Sequence, residues 1–140
     1  MVDKISRESA EAQFEIFCDY YDFDPETDIP EEDAQRAAFE ATIEKVIKAI
    51  RKGRLEIIDG DPLQIIQHLK KPQGDISTIE YSELTGRHKL AMKDKKGTDN
   101  YGRCYALCGA MSGMGETAIC KLKGADLSVV ECLGLLFLQI

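Results

Sequence analysis

Apolar positions recur at helical spacing near both ends of the chain and fall into short, β-like runs in the middle. Ala10, Phe14, Phe17, Cys18 and Tyr21 stand at i, i+4, i+7, i+8 and i+11, the stripe of an amphipathic helix that Ser6 can cap. Residues 22 to 29 hold Pro25 and four acids and predict a loop. A second helix is expected from near Asp28, where Asp28 and Glu31 have capping-box spacing and Pro30 falls in the first turn. Phe39, Ile43, Val46, Ile47 and Ile50 form its stripe, and Gly53 stops it after about Lys52.

Residues 54 to 58, 63 to 69 and 76 to 81 then predict three short strands, separated by Asp59-Gly-Asp-Pro62 and by Lys71-Pro-Gln-Gly-Asp75. The middle run also fits a short helix, with Ile65, Ile66 and Leu69 on one face. Beyond it, Gly86 to Met92 predicts a short helix and residues 93 to 100 a polar surface loop. Tyr101, Cys104, Tyr105, Cys108 and Met111 return to helical spacing up to the break at Ser112-Gly-Met-Gly115. A turn of helix from Glu116 to Leu122 and a last helix capped by Asp126, with Gly124 between them, complete the chain. The expected architecture is a single α+β domain over residues 1–140, in which a small antiparallel sheet of about three strands (residues 54–81) packs with four or five helices.

The last helix carries more apolar surface than one buried face needs. Leu127, Val130, Leu133, Phe137 and Ile140 make its stripe, flanked by Val129, Leu135, Leu136 and Leu138. Two readings stand: a core helix alone, or a core helix whose second face meets a partner. On the second reading Leu133, Leu136, Phe137 and Ile140 are the expected contact residues.

A 44% hydrophobic and 31% charged composition is that of a globular chain. A net charge of −7 argues against a duplex nucleic acid as partner, which needs a cationic surface to release phosphate counterions. The charge is uneven: residues 8–33 are strongly acidic, whereas residues 45–71 and 88–96 carry basic clusters, so an acidic strip meeting a basic patch on another subunit is one reading and solvated faces the plainer one. The longest apolar run, residues 133–138 interrupted by Gly134, is far short of the ~20 residues that cross a bilayer. Five cysteines without a secretory signal pattern predict reduced thiols in the cytoplasm.

Candidate chemistry is sparse. Cys104 and Cys108 lie one helical turn apart, and Cys120, Cys132 or a histidine would be needed to complete a zinc shell; without a CxxC knuckle, core packing is the better reading. Asp22, Asp24, Glu26 and Asp28 alternate like the first ligands of a calcium loop, but Thr27 stands where that loop needs glycine and Asp33 where it needs glutamate. His68 and His88 have no neighbouring nucleophile that the sequence distinguishes from chance. Gly109, Gly113 and Gly115 match neither phosphate-loop signature and read as helix termination. No catalytic, cofactor or metal residue is therefore expected, and no enzymatic activity.

From Phe39 onward the order of features resembles the tail assembly chaperones of phages and prophages. The matching pieces are an amphipathic helix into Gly53-Arg-Leu55, a hairpin closing on Leu69-Lys-Lys-Pro72, and Ile79-Glu-Tyr-Ser-Glu-Leu-Thr-Gly86. Then come a helical Tyr105-Ala-Leu-Cys-Gly-Ala-Met-Ser-Gly113, Lys121-Leu-Lys-Gly-Ala-Asp126, and a terminal apolar helix ending in Phe137-Leu138. The resemblance covers about residues 39–140 and leaves residues 1–38 as a helical acidic extension. It implies a non-enzymatic protein of the bacterial host cytoplasm that binds the tape-measure protein, keeps its apolar helices soluble and helps recruit tail-tube protein; self-association into a homo-oligomer is a separate expectation. Another phage interaction protein, such as a tail-completion factor or an adaptor, is the alternative, with a small metal protein or enzyme behind it.

Overall fold

A computed structural model describes residues 4–140. Helix α1 (Arg7–Tyr20) starts where Ser6 Oγ accepts the Ser9 N–H at 3.1 Å. It ends where the Phe23 N–H reaches back to the Cys18 carbonyl at 2.9 Å, a closure that puts Asp22 at φ 50° and returns Phe23 to the core. Helix α2 (Asp33–Arg51) starts four residues later than the capping-box spacing suggested, with its cap at Glu32 and not Asp28. Ile29 turns into the core and Asp28 Oδ2 accepts the Asp24 N–H at 2.7 Å, so this stretch is a packed loop. The cap is instead Glu32, whose carboxylate accepts the Ala34 and Gln35 N–H groups at 3.1 and 3.0 Å.

Strands β1 (Leu55–Ile58), β2 (Gln64–Gln73) and β3 (Ile76–Tyr81) form an antiparallel sheet in that order. The 63–69 run is thus strand, and β2 continues through the Lys-Pro stretch expected to break it. A large bulge makes this possible: the register passes from His68 opposite Thr78 to Gln73 opposite Ile76, so residues 69–72 arc out against Ser77 alone. Pro72 lies in that arc, where its missing N–H removes no ladder bond.

Four helices follow: α3 (Gly86–Leu90), α4 (Asn100–Ser112), α5 (Glu116–Cys120) and α6 (Gly124–Phe137). The fold is α+β with six helices among the described residues, two of which, α3 and α5, are the expected short turns of five residues each. Lys123 occupies the N-cap position of α6, not Asp126, whose side chain is committed elsewhere. Its carboxylate accepts the Lys70 and Lys71 N–H groups at 2.8 and 2.9 Å, two donors that the bulge removes from the ladder. Behind it, the Tyr81 hydroxyl donates to Gln67 Oε1 at 2.8 Å and Gln67 Nε2 donates to the Asp126 carbonyl at 2.8 Å. Gln67 is 0% and Asp126 2% exposed, so this chain satisfies the two buried polar side chains and ties α6 to β2 and β3.

The sheet is one-sided. Leu55, Ile57, Ile65, Gln67, Leu69, Ile79 and Tyr81 face inward, onto α1 and α2 at β1, α6 at β2 and α4 at β3. One buried cluster runs from Ala10 to Phe137. Phe137 is its hub, with ring centroids 5.7 Å from Phe17, 5.9 Å from Tyr21 and 6.4 Å from Tyr81. The acidic N-terminal helix therefore packs on the same core as the C-terminal one. Helices α4 and α6 approach closely because Gly134 has no side chain: a Cβ there would fall on Cys104 Sγ. Cys104 Sγ lies 3.6 Å and Cys108 Sγ 3.9 Å from the Val130 carbonyl, so both thiols pack against the α6 backbone.

Candidate protein-binding groove

Helix α1 buries Phe14 and Cys18 and exposes the neighbouring positions, so Glu11, Glu15 and Asp19 follow one another at i, i+4, i+8 along its rim. The turn after α1 adds Asp22 and Asp24, and Phe23 and Ile47 complete the floor. The result is an open groove of about 510 Å³ with five carboxylates around an apolar base. Its field registers on Cys18, whose thiol pKa is pushed up to about 12, first by burial and then by the charges of Asp19, Glu15 and Asp24. From Glu8 through Asp33 the chain has eleven acids and no Lys or Arg. Residues 1–33 carry a net charge of −10, against +3 for residues 34–140. Such a groove is complementary in charge and shape to a cationic surface with a small apolar ridge.

The carboxylates of the following loop serve the backbone. Asp24 Oδ1 accepts the Glu26 N–H at 2.9 Å while Asp28 caps Asp24, so the alternating acids shape a turn. Among the described residues no three His, Cys, Asp or Glu side chains converge as metal ligands. Cys104, Cys108 and Cys132 are buried and Cys120 is exposed.

A second groove, of about 790 Å³, brings together a pair that the sequence did not single out. His88 Nε2 lies 3.4 Å from Ser82 Oγ. The hydrogen bonds run the wrong way for a nucleophile and its base. His88 Nδ1 accepts the Thr85 N–H at 3.1 Å, which places the ring proton on Nε2, and the Ser82 hydroxyl donates to the Met111 carbonyl at 2.8 Å. In this tautomer Nε2 has no lone pair with which to take the Ser82 proton. His68, on the outer face of the sheet, pairs with Glu56 at 3.1 Å.

Three of the four contact residues expected from the C-terminal stripe occupy the core. Leu133 is 1% exposed and Leu136 and Phe137 are fully buried, whereas Ile140 is half-buried. A partner reaches the first three only if an element packed on α6, namely α4, α2 or the sheet, moves away. The rim of the acidic groove was visible in the sequence as charge, but its floor was not, because the return of Phe23 and the approach of Ile47 depend on the turn at Asp22. No helix among the described residues is long and apolar enough to cross a membrane. No protein family, curated protein or solved structure matches the chain.

Proposed function

We propose that this chain is a non-catalytic phage tail assembly chaperone, which binds the tape-measure protein in the bacterial host cytoplasm and assists addition of tail-tube protein. The family part of this reading rests on the resemblance over residues 39–140. The binding part rests on one structural observation, the acidic groove with an apolar floor along α1. A helix laid in it sets apolar residues against Phe14 and Phe23 and its Lys or Arg flanks against Glu11, Glu15, Asp19, Asp22 and Asp24. Apart from Ile47 of its floor, the groove belongs to the N-terminal segment that the resemblance leaves out, so this segment supplies most of the binding surface and the remainder the scaffold.

Co-expression tests the reading. The tape-measure protein of the same operon, insoluble alone, is expected to become soluble and co-purify with this chain. A tape-measure protein whose solubility is unchanged by this chain would exclude the assignment.

A further inference from the structure

The two edges of the sheet are treated differently. At β1 the outward N–H of Ile57 is capped by Gln13 Oε1 of α1 at 3.0 Å. At β3 the directions follow from the ladder. His68 N–H bonds to the Arg54 carbonyl, so even-numbered residues of β2 face β1, odd ones face β3, and in β3 Ile79 and Tyr81 point inward. Thr78 and Glu80 therefore aim their N–H and C=O groups out of the sheet. The Ser82 N–H, next in phase, is taken by the Met111 carbonyl at 2.9 Å, whereas Thr78 and Glu80 have no backbone partner among the described residues. Both side chains are exposed, and the edge lacks the proline, bulge or covering helix that usually blocks strand addition.

We propose that β3 is the seam of a homodimer, pairing antiparallel with β3 of a second copy about a two-fold axis at Ile79. Along this edge only Thr78 and Glu80 offer free groups among the described residues, and a second copy offers two at the same spacing. With the axis at Ile79, Thr78 of each copy lies opposite Glu80 of the other, and all four N–H groups find carbonyls. Moving the axis to Thr78 keeps one bonded pair, and moving it to Glu80 sets two carboxylates face to face. The chosen register also brings Ile76, 37% exposed, opposite Ser82 of the other copy. There the 790 Å³ groove, lined in part by Leu63, Ala110 and Met111, opens to receive an apolar side chain. The seam is short beside the ~1,600 Å² of a standard interface, so association is concentration-dependent, and salt strengthens it by screening two chains of charge −7.

Sedimentation equilibrium of the full chain tests this. The weight-average mass is expected to rise from 15.6 kDa toward twice that value with concentration. Thr78→Pro removes an outward N–H that bonds nothing within the chain, and should keep the native circular dichroism yet weaken association at least about tenfold. Glu80→Thr relieves the diagonal carboxylate pair and should tighten it about threefold. A wild-type chain that stays at 15.6 kDa throughout overturns the proposal and leaves the edge to a strand of another protein. Equal association by wild type and Glu80→Thr overturns the register, and a folded Thr78→Pro protein that dimerises like wild type places the contact elsewhere.

Discussion

The two ends of the chain differ in what they bury and what they show. Helix α6 hides its central stripe: Val130, Leu133, Leu136 and Phe137 are buried where it packs on α4, α2 and the sheet, and Gly134 lets α4 come close. Helix α1 buries four residues and presents a row of carboxylates on its other side. Apolar character along a sequence thus marks the part of this molecule that holds it together, whereas the charged segment carries the surface that a partner can reach.

The largest effect should come from the hub of the core. Phe137→Ala removes a ring packed against three others and is expected to lower unfolding free energy by about 3–5 kcal/mol in urea denaturation. If Phe137 were a contact residue instead, stability would hold and partner binding alone would fall.

Next is Asp126. Replacing it with alanine orphans the Lys70 and Lys71 N–H groups at the β2 bulge and should cost about 2–4 kcal/mol, with faster hydrogen exchange at those two amides. Asp126→Asn keeps an acceptor and should lose less. A loss equal to that of a surface helix residue would mean that the bulge is not held by this carboxylate.

The smallest effect is expected where α1 meets α2. Arg7 donates to both oxygens of Glu44 at 2.9 and 2.7 Å, and this pairing holds the Glu44 carboxyl below its ordinary range. A lowered carboxyl pKa contributes stability above the unfolded value of about 4.3 and loses it as pH falls through the folded value. The difference between wild type and Glu44→Gln, already small because both groups are exposed, should disappear as the pH falls below the folded value. A difference that grows in acid would contradict this pairing.

Much of the fold was legible because local signals and tertiary packing agree. The α1 stripe with its Ser6 cap, the C-terminal half of α2, the three strand segments and the burial of Cys104 and Cys108 all follow from spacing. The start of α2 was not legible, since nothing local marks Ile29 as a residue that leaves the loop for the core, and Glu32 is an uncommon cap. Nor was the course of β2: its continuation past Pro72 depends on Asp126, more than fifty residues away, accepting two N–H groups. Asp126 looks like a helix cap in sequence because of its residue type and its place before the last apolar stripe, while the N–H groups it accepts lie more than fifty residues away. The groove was half legible, its carboxylates plain in the composition and its floor dependent on the left-handed turn at Asp22.

The central claim is that the exposed acidic groove of α1, and not the apolar C-terminal helix, meets the partner. It is tested most directly by co-expressing the tape-measure protein with the Glu15→Lys, Asp19→Lys double variant. Both side chains are exposed, so folding stability should stay within about 0.5 kcal/mol of wild type for each substitution. The account predicts a folded variant that no longer keeps the tape-measure protein soluble. A folded variant that solubilises it as well as wild type does would contradict the account.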